Sequence, residues 1–593
     1  MKAHIDYDAR KGRFIIQVPP WLNDTVRAIP SRKWNDSGKV WTAPATRVNV
    51  KYMSEAMGGA HWTRSALAKL AEVKDNTGKV IAPALPWPLH YKFKTEPMRT
   101  QRAALERAFG RPAFAFFKDM GTGKSKTFID LASASRMHPL VDAALMVCPV
   151  ALRKNWLREL AIHCPLPYDA YILNSAKPKE FDAWLDKKHD FKWLIVGVES
   201  LGISAKPYEM MLKFLDRMNK RVIMGIDESS KIKNHASIRS QRCHFAARHA
   251  AIRIPMTGTP IAKSVMDLYS QFEFMDPDIL GIGDFYAFRN RYAVFGGFEN
   301  KQMIGYQNMD ELMEIITPFI YQVRKEEAMP DLPPKVYTRR YVKMSVEQSK
   351  HYKSMVKDRR ITLTGVNGES IDHTVKNVLG MTLRLQQIAG GFLPVEVIDP
   401  LTQEPRIEMQ PIGKGNPKVE DLLDWTDEFD GQAIIWCAYR PEIDAVVTAL
   451  RAKFGADQVV ECHGGIEESK RDIDINEVFQ SGRARWVVGN VSTGGMGLTM
   501  TAATAEFYYS NTHNFIDRAQ SEDRAHRKGQ KNSVLYVDQI AQIDMGTAEP
   551  VDTIDAAIVA SNEGKKDLSE YVKDEIERIT AEGGRDLSSL FGC

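Results

Sequence analysis

The stretch "FAFFKDMGTGKSKTFIDLA", residues 114–132, decides the fold. Its apolar start reads as a buried strand, the Gly-Thr-Gly as a tight loop, and the run from Lys124 onward as a helix. This order places backbone N–H groups and a helix N-terminus around an anion. Gly121 and Gly123 let the backbone approach phosphate oxygens, Lys124 reaches the β and γ phosphates, and the Ser125 hydroxyl suits magnesium. Met120 and Thr122 complete the loop. Lys118 stands where the full phosphate-loop pattern has its first glycine. As a bare pattern GxGKS recurs by chance, so its weight comes from the strand before it and the helix after it.

A second segment about a hundred residues on supports that reading. In "RVIMGIDESSKIKN", residues 221–234, an apolar strand ends in Asp227 and Glu228. Carboxylates at the C-terminal edge of a strand in an α/β sheet sit at the crevice where such sheets bind ligands. Asp227 is suited to hold magnesium and Glu228 to orient or deprotonate an attacking water. A solvated strand end would explain any single Asp-Glu pair; joined to a phosphate loop, the pair reads as catalytic.

Working outward, short apolar runs alternate with helix-like stretches: "AALMVCP" at 143–149, "KWLIVGVES" at 192–200 and "IRIPMTGTP" at 252–260. This is the pattern of βαβ units feeding a parallel sheet. A second series, "QAIIWCAY" at 432–439, "QVVECHGG" at 458–465, "RWVVGNVS" at 485–492, "AEFYYS" at 505–510 and "VLYVDQI" at 534–540, predicts a second α/β lobe. The expected organisation is an N-terminal accessory domain over 1–90, a first lobe over 91–264, helical insertions and a linker over 265–415, a second lobe over 416–560 and a helical tail over 561–593. The fold class is α/β, with two parallel-sheet lobes and a small α+β domain before them.

Composition narrows the function classes. At 593 residues the chain is long enough for several cores, and 44% hydrophobic with 26% charged residues is ordinary for a globular protein. A net charge of +5 is too mild to demand a nucleic-acid partner by bulk electrostatics, though a local basic groove is compatible with it. Six scattered cysteines form no CxxC pair, which argues against a disulfide framework or a zinc ribbon. The first 18 residues lack the continuous apolar run of a secretory signal, and no run approaches a membrane span. The expected setting is the cytoplasm of a prokaryotic or virus-infected cell, and the expected state a monomer.

The segment "QSEDRAHRKGQ", residues 520–530, sets Arg524 and Arg527 three apart. A solvated basic helix would look the same, but two planar, permanently charged guanidinium groups also suit a transferring phosphoryl group. In order along the chain, "KDMGTGKS", "LMVCPVALRKNWLREL", "WLIVGVES", "IDESSKIKN", "MTGTPIAKSVMDLYSQFEFMDP", "LRLQQIAGGFL", "AIIWCAYR", "CHGG", "NVSTGGMGLTMTAA" and "QSEDRAHRKGQ" resemble the motifs of superfamily-two, Swi/Snf-type helicase-like ATPases over most of residues 91–555. The resemblance implies two RecA-like lobes that hydrolyse ATP with magnesium and move along duplex DNA, held mostly by its backbone. It assigns Gln101 to the adenine edge, Gln520 to the interlobe cleft and Arg524 and Arg527 to the phosphates. Thr257, Gly258 and Thr259 would couple nucleotide state to lobe movement, and Gly494, Gly495 and Gly497 would touch DNA and nucleotide.

The chain departs from the family in a few places. Ser229 and Ser230 replace the histidine usual after the acidic pair, Ser125 the commoner threonine, and Asn490 a serine. More loosely, "RKW…KVWTAP" around Trp34 and Trp41 resembles the accessory domain of annealing-helicase (HARP-like) members, which points to forks, annealing, replication or DNA repair. A tryptophan pair anchoring a small core explains the same residues. The rival readings are an RNA helicase, a catalytically silent nucleic-acid clamp and a motor that strips proteins from DNA.

Overall fold

The computed structural model describes residues 3–564 except 10–11, 28, 30–31, 58, 81–82, 190, 262–263, 297–301, 359, 365–369, 375–377, 399–404, 492–497 and 545–549. The described residues up to Ala328 form one compact unit and those from Met329 on form another.

The first unit begins with a small sheet of five strands, β1 (His4–Asp8), β2 (Arg13–Gln17), β3 (Lys33–Asn35), β4 (Val40–Pro44) and β5 (His61–Trp62), in the order β3-β4-β2-β1-β5. Along β2, Phe14 and Ile16 alternate into a core shared with Ile5, Ala43, Val50 and Met53. Period-two alternation of this kind marks a sheet with one wet face. The helices Arg47–Ala56 and Arg64–Val80 cover the other face, so this domain is α+β as expected.

The same unit then builds a seven-stranded sheet from β6 (Ala115–Lys118), β7 (Ala143–Cys148), β8 (Asp169–Ile172), β9 (Lys192–Gly197), β10 (Val222–Asp227), β11 (Ile252–Thr257) and β14 (Ile320–Val323), with β12 (Ala293–Gly296) and β13 (Gln302–Tyr306) forming a separate antiparallel hairpin. The sheet order is β14-β6-β11-β10-β7-β9-β8 and every pair is parallel. Helices bury both faces. Phe117, Leu145, Leu194 and Met224 enter the core on one side; Phe116, Met146, Ile195 and Ile223 enter the core on the other. Double burial explains why β7, β9 and β10 are buried at every position.

The second unit holds a sheet whose parallel strands are β15 (Lys335–Lys343), β20 (Gln432–Trp436), β21 (Val459–Cys462), β22 (Trp486–Gly489), β23 (Ala503–Tyr508) and β24 (Val534–Ile543), in the order β15-β24-β23-β20-β22-β21. A two-residue strand, β25 (Val551–Asp552), pairs antiparallel with β24. Two hairpins, β16 (Arg360–Thr364) with β17 (Ser370–Thr374) and β18 (Phe392–Ile398) with β19 (Pro405–Pro411), precede β20.

The stretch 265–415 reads as helical, and the helices Asp267–Met275, Met309–Ile316 and Val378–Ala389 are there. It also supplies three hairpins and the two strands β14 and β15, which join different sheets. Both are edge strands fixed by long-range pairing, which local periodicity does not report. Among the described residues no helix is long and apolar enough to cross a membrane.

Candidate functional site

The phosphate loop follows from its sequence. Strand β6 ends at Lys118, Gly121 and Gly123 take φ of 79° and 77°, and the helix Lys124–Met137 starts at once. Only glycine adopts such φ freely, and at Gly123 the space is closed as well, because a Cβ there would collide with the Gln101 amide. The Thr122 hydroxyl closes the loop by donating to the Asp119 carbonyl at 2.7 Å. Asp119 anchors it from outside, accepting from the Lys325 backbone N–H at 3.0 Å just past β14. The Lys124 ammonium is folded back and donates to the Lys118 carbonyl at 3.1 Å.

The acidic pair lies two strands away in the same sheet, at the C-terminal end of β10. Asp227 is 8% exposed and its Oδ2 accepts from the indole Nε1 of Trp156 at 3.0 Å, while its Oδ1 accepts from the Glu228 N–H at 3.1 Å. Burial, reinforced by the neighbouring Glu228 charge and opposed by Lys124, raises its pKa from 3.8 to about 6. Glu228 itself sits at φ 53°, ψ 57°, a left-handed conformation unusual for a residue with a side chain. Its Oε2 accepts from the Thr257 hydroxyl at 3.5 Å, and that hydroxyl accepts from the Thr259 N–H at 3.1 Å. A Cβ at Gly258 would lie 3.2 Å from the Met120 backbone nitrogen, so this turn sits directly against the phosphate loop.

Gln101 is placed at the loop too, but its amide is engaged with backbone. Its Oε1 accepts from the Met98 N–H at 2.8 Å and its Nε2 donates to the Gly123 carbonyl at 3.2 Å, so it caps the helix Arg99–Ala108 and ties that helix to the loop. Gln520, Arg524 and Arg527 belong to the second compact unit. Arg524 donates to the Gln520 and Leu498 carbonyls, each at 3.1 Å, and Arg527 to Leu498 at 3.3 Å. Both arginines therefore converge on one carbonyl. Gly494, Gly495 and Gly497 lie outside the described residues.

Two residues that sequence reasoning passed over, and Lys118, which it marks only as a departure from the loop pattern, complete this picture. Trp156, in "LRKNWLREL", is the buried donor to Asp227. Gln271 answers what stands in for the histidine after the acidic pair. The Ser229 hydroxyl donates to Gln271 Oε1 at 2.7 Å and Gln271 Nε2 donates to the Pro260 carbonyl at 2.7 Å, which joins the acidic segment to the Thr257–Pro260 turn. Lys118, completely buried, donates to Thr127 Oγ1 at 2.8 Å. Neither Trp156 nor Gln271 carries a spacing signal, because each reaches its partner from another element.

An SNF2-related domain matches residues 105–390 and a helicase conserved C-terminal domain matches residues 416–529, in that order and over well more than half of the chain. The chain belongs to the SNF2 family. Of the residues above, the loop, the acidic pair and Thr257 fall in the SNF2-related match, and Gln520, Arg524 and Arg527 in the helicase C-terminal match. YwqA of Bacillus subtilis, which goes by the name of an ATP-dependent helicase/translocase, is 26% identical over 80% of this chain and 48% of its own length. The ISWI chromatin-remodeling complex ATPase CHR17 of Arabidopsis thaliana is 24% identical over 70% of this chain and 37% of its own. The chain thus spans about half or less of the length of these SNF2-type relatives. Among solved structures, the Sulfolobus solfataricus SWI2/SNF2 ATPase core in complex with dsDNA aligns over 77% of this chain and 90% of its own, with 20% identity and a TM-score of 0.36.

Proposed function

We propose that this SNF2 protein is a DNA-dependent ATPase that translocates on duplex DNA. The observation that carries the reading is the closed constellation of the first lobe. A glycine loop at positive φ opens a helix, and the buried Asp227 and Glu228 end a strand of the same sheet. The names of the relatives, helicase/translocase and chromatin-remodelling ATPase, point the same way.

The residues present fit magnesium and a nucleotide. Ser125 and Asp227 offer the hard oxygen ligands that magnesium takes when phosphates supply the rest. When bound, magnesium would neutralise charge on the phosphates. The loop N–H groups and Lys124, released from the Lys118 carbonyl, bind and orient the triphosphate. Glu228 orients the attacking water and accepts its proton, held through the Thr257 hydroxyl. Arg524 and Arg527 stabilise charge on the transferring phosphoryl group from the second lobe, so hydrolysis is linked to lobe closure and to movement of the bound polymer.

Grip on the DNA is proposed to run through backbone phosphates, with binding that weakens steeply as salt rises. The accessory domain is proposed to engage forks or single-strand junctions, as in annealing, replication or repair. Trp21 is 71% and Trp34 46% exposed, with Lys33 on the same edge strand, a combination suited to stacking bases beside a backbone. Trp34 also packs edge-on against Trp41 at 5.1 Å.

The test is steady-state ATP hydrolysis without nucleic acid and with single-stranded DNA, duplex DNA, a fork and duplex RNA, at one stated salt concentration. Stimulation by duplex or forked DNA, abolished by Lys124→Ala and by Glu228→Gln, is the expected result. Stimulation by RNA alone would transfer the chain to the RNA helicases, and the absence of hydrolysis in every arm would leave a silent clamp.

A further inference from the structure

Apolar packing alone does not explain the position of Lys118, whose side chain is fully buried. It ends β6 on the same face as Phe114 and Phe116, which enter the core beneath the helix Lys124–Met137 together with Phe128 and Ile129. An ammonium group in such a place is disfavoured three ways. It is fully out of water. It lies under the N-terminus of a helix, the positive end of the helix dipole. It also faces the Lys124 charge. Burial, and Lys124 after it, lower its pKa from 10.5 to about 7.

Among the described residues the neighbouring charges offer it no counterion. Lys126 and Asp130, farther along the helix, pair with each other at 2.7 Å. Asp119 is turned to the Lys325 N–H, and Asp227 is held by Trp156 and the Glu228 N–H. Arg324 and Lys325, following β14, bring further positive charge to the adjacent strand. What Lys118 does have is a hydrogen-bonded line into the loop. Its Nζ donates to Thr127 Oγ1 at 2.8 Å, and that hydroxyl donates to the Gly123 carbonyl at 2.9 Å. Its own carbonyl is the one on which Lys124 rests.

We propose that Lys118 is a positioning residue of the phosphate loop, a buried amine that braces Gly123 through Thr127 and takes a proton from solvent when phosphate fills the loop. The inference rests on the nucleotide reading above and deepens it. Only an N–H bond forms, between the amine lone pair and a proton released by water or buffer. Bound phosphate brings negative charge close to Lys118, where the described residues place Lys124 and a helix N-terminus, while Asp227 acts on Lys124 and no described acid acts on Lys118. The charged amine is then the favoured form, and by linkage nucleotide binds more tightly to the protonated protein.

The size of the effect follows from the titration range. A group that titrates near 7 in the empty loop and well above it in the filled loop takes up about half a proton per nucleotide at pH 7 and about nine tenths at pH 8. Affinity should then fall about tenfold for each pH unit above 8, until the filled-loop value is reached.

The experiment is calorimetric titration of the full chain with ADP and magnesium at pH 7, 7.5, 8 and 8.5, each in two buffers of different ionisation enthalpy. ADP is suited because its terminal phosphate, with a pKa of about 6, is already ionised there. The expected result is uptake rising toward one proton across this range in the wild type and near zero in Lys118→Met, which keeps most of the stem without the amine. Thr127→Val should keep the uptake and weaken binding, because it cuts only the brace. Binding by the wild type with no uptake at pH 8 would overturn the proposal and needs no variant. So would uptake that persists in Lys118→Met, whereas a purely structural Lys118 would shift the unfolding midpoint and leave the proton count alone. Failure of the wild type to bind ADP at all would overturn the nucleotide reading and this inference together.

Discussion

Asp227→Asn should make the nucleotide-free protein more stable at neutral pH while removing its magnesium ligand. The Asp227 carboxyl titrates at about 6 in the fold against 3.8 in a free chain, so the folded state holds its proton more tightly. The contribution of this group to stability is therefore largest in acid, falls as pH rises from about 4 to about 6, and is level above that. Two pH units correspond to about 3 kcal/mol of destabilisation at pH 7.5. Asparagine is neutral and keeps an oxygen for Trp156 Nε1, but its NH2 group cannot accept from the Glu228 N–H, a loss of about 1 kcal/mol. The net gain is about 2 kcal/mol. Denaturant unfolding of both proteins at pH 4.5, 6 and 7.5 checks this: the variant should lead at 7.5, and its lead should vanish by 4.5. A variant less stable than the wild type at pH 7.5, or a gap that does not vary with pH, would refute the account of Asp227 as a buried charge held against its preference.

Other perturbations test other parts of the molecule. Ser229→Ala leaves the buried Gln271 Oε1 without its donor and should lower the stability of the first unit by about 1–3 kcal/mol, read by denaturation. His244 is held neutral by burial, with Nε2 2.9 Å from the Ser270 carbonyl, and its pKa is pushed down to about 4. Between pH 6.5 and 4 the unfolded chain binds a proton there that the fold refuses, which removes about 3 kcal/mol of stability as pH falls. His244→Gln should flatten that limb of the stability profile. In the second unit, Arg518 is buried between Glu522 at 2.9 Å and Asp538 at 2.5 Å, with its guanidinium over the Tyr508 ring. Arg518→Met leaves Glu522 with Lys335 at 3.0 Å and Asp538 with the Asn511 amide at 2.9 Å but removes the charge they share, and should lower that unit's stability by about 1.5–3 kcal/mol, measured by the same unfolding.

The sequence was most informative where function and local geometry coincide. The loop 119–123 and the helix from Lys124 are legible because glycine conformation, strand and helix follow one another without a gap. The strands β7, β9 and β10 are legible because double burial leaves them uniformly apolar. What the local sequence does not signal depends on distance along the chain. Trp156 meets Asp227 across 71 residues, and Gln271 meets Ser229 across 42. Strands β14 and β15 take their state from neighbours more than 190 residues away. For Gln101 the resemblance implies a role at the adenine edge, and nothing in the local sequence signals that its amide is shared between a helix cap and the Gly123 carbonyl.

The pairing of β14 with β6 also bears on synthesis. Strand β6 carries the phosphate loop, yet one of its two flanking strands is not made until about 200 residues later. A nascent chain that has emerged only as far as β11 has β6 as a raw edge, with its backbone groups open to another strand. Contacts this far apart form slowly, and exposed edges are where growing chains mispair. The loop's outer anchor, Asp119 on the Lys325 N–H, arrives later still. Ribosome-bound fragments ending near residue 316 should therefore be protease-sensitive and chaperone-dependent, and those extended past residue 328 by the length of the exit tunnel should not. The nucleotide loop of this chain is specified early and assembled late.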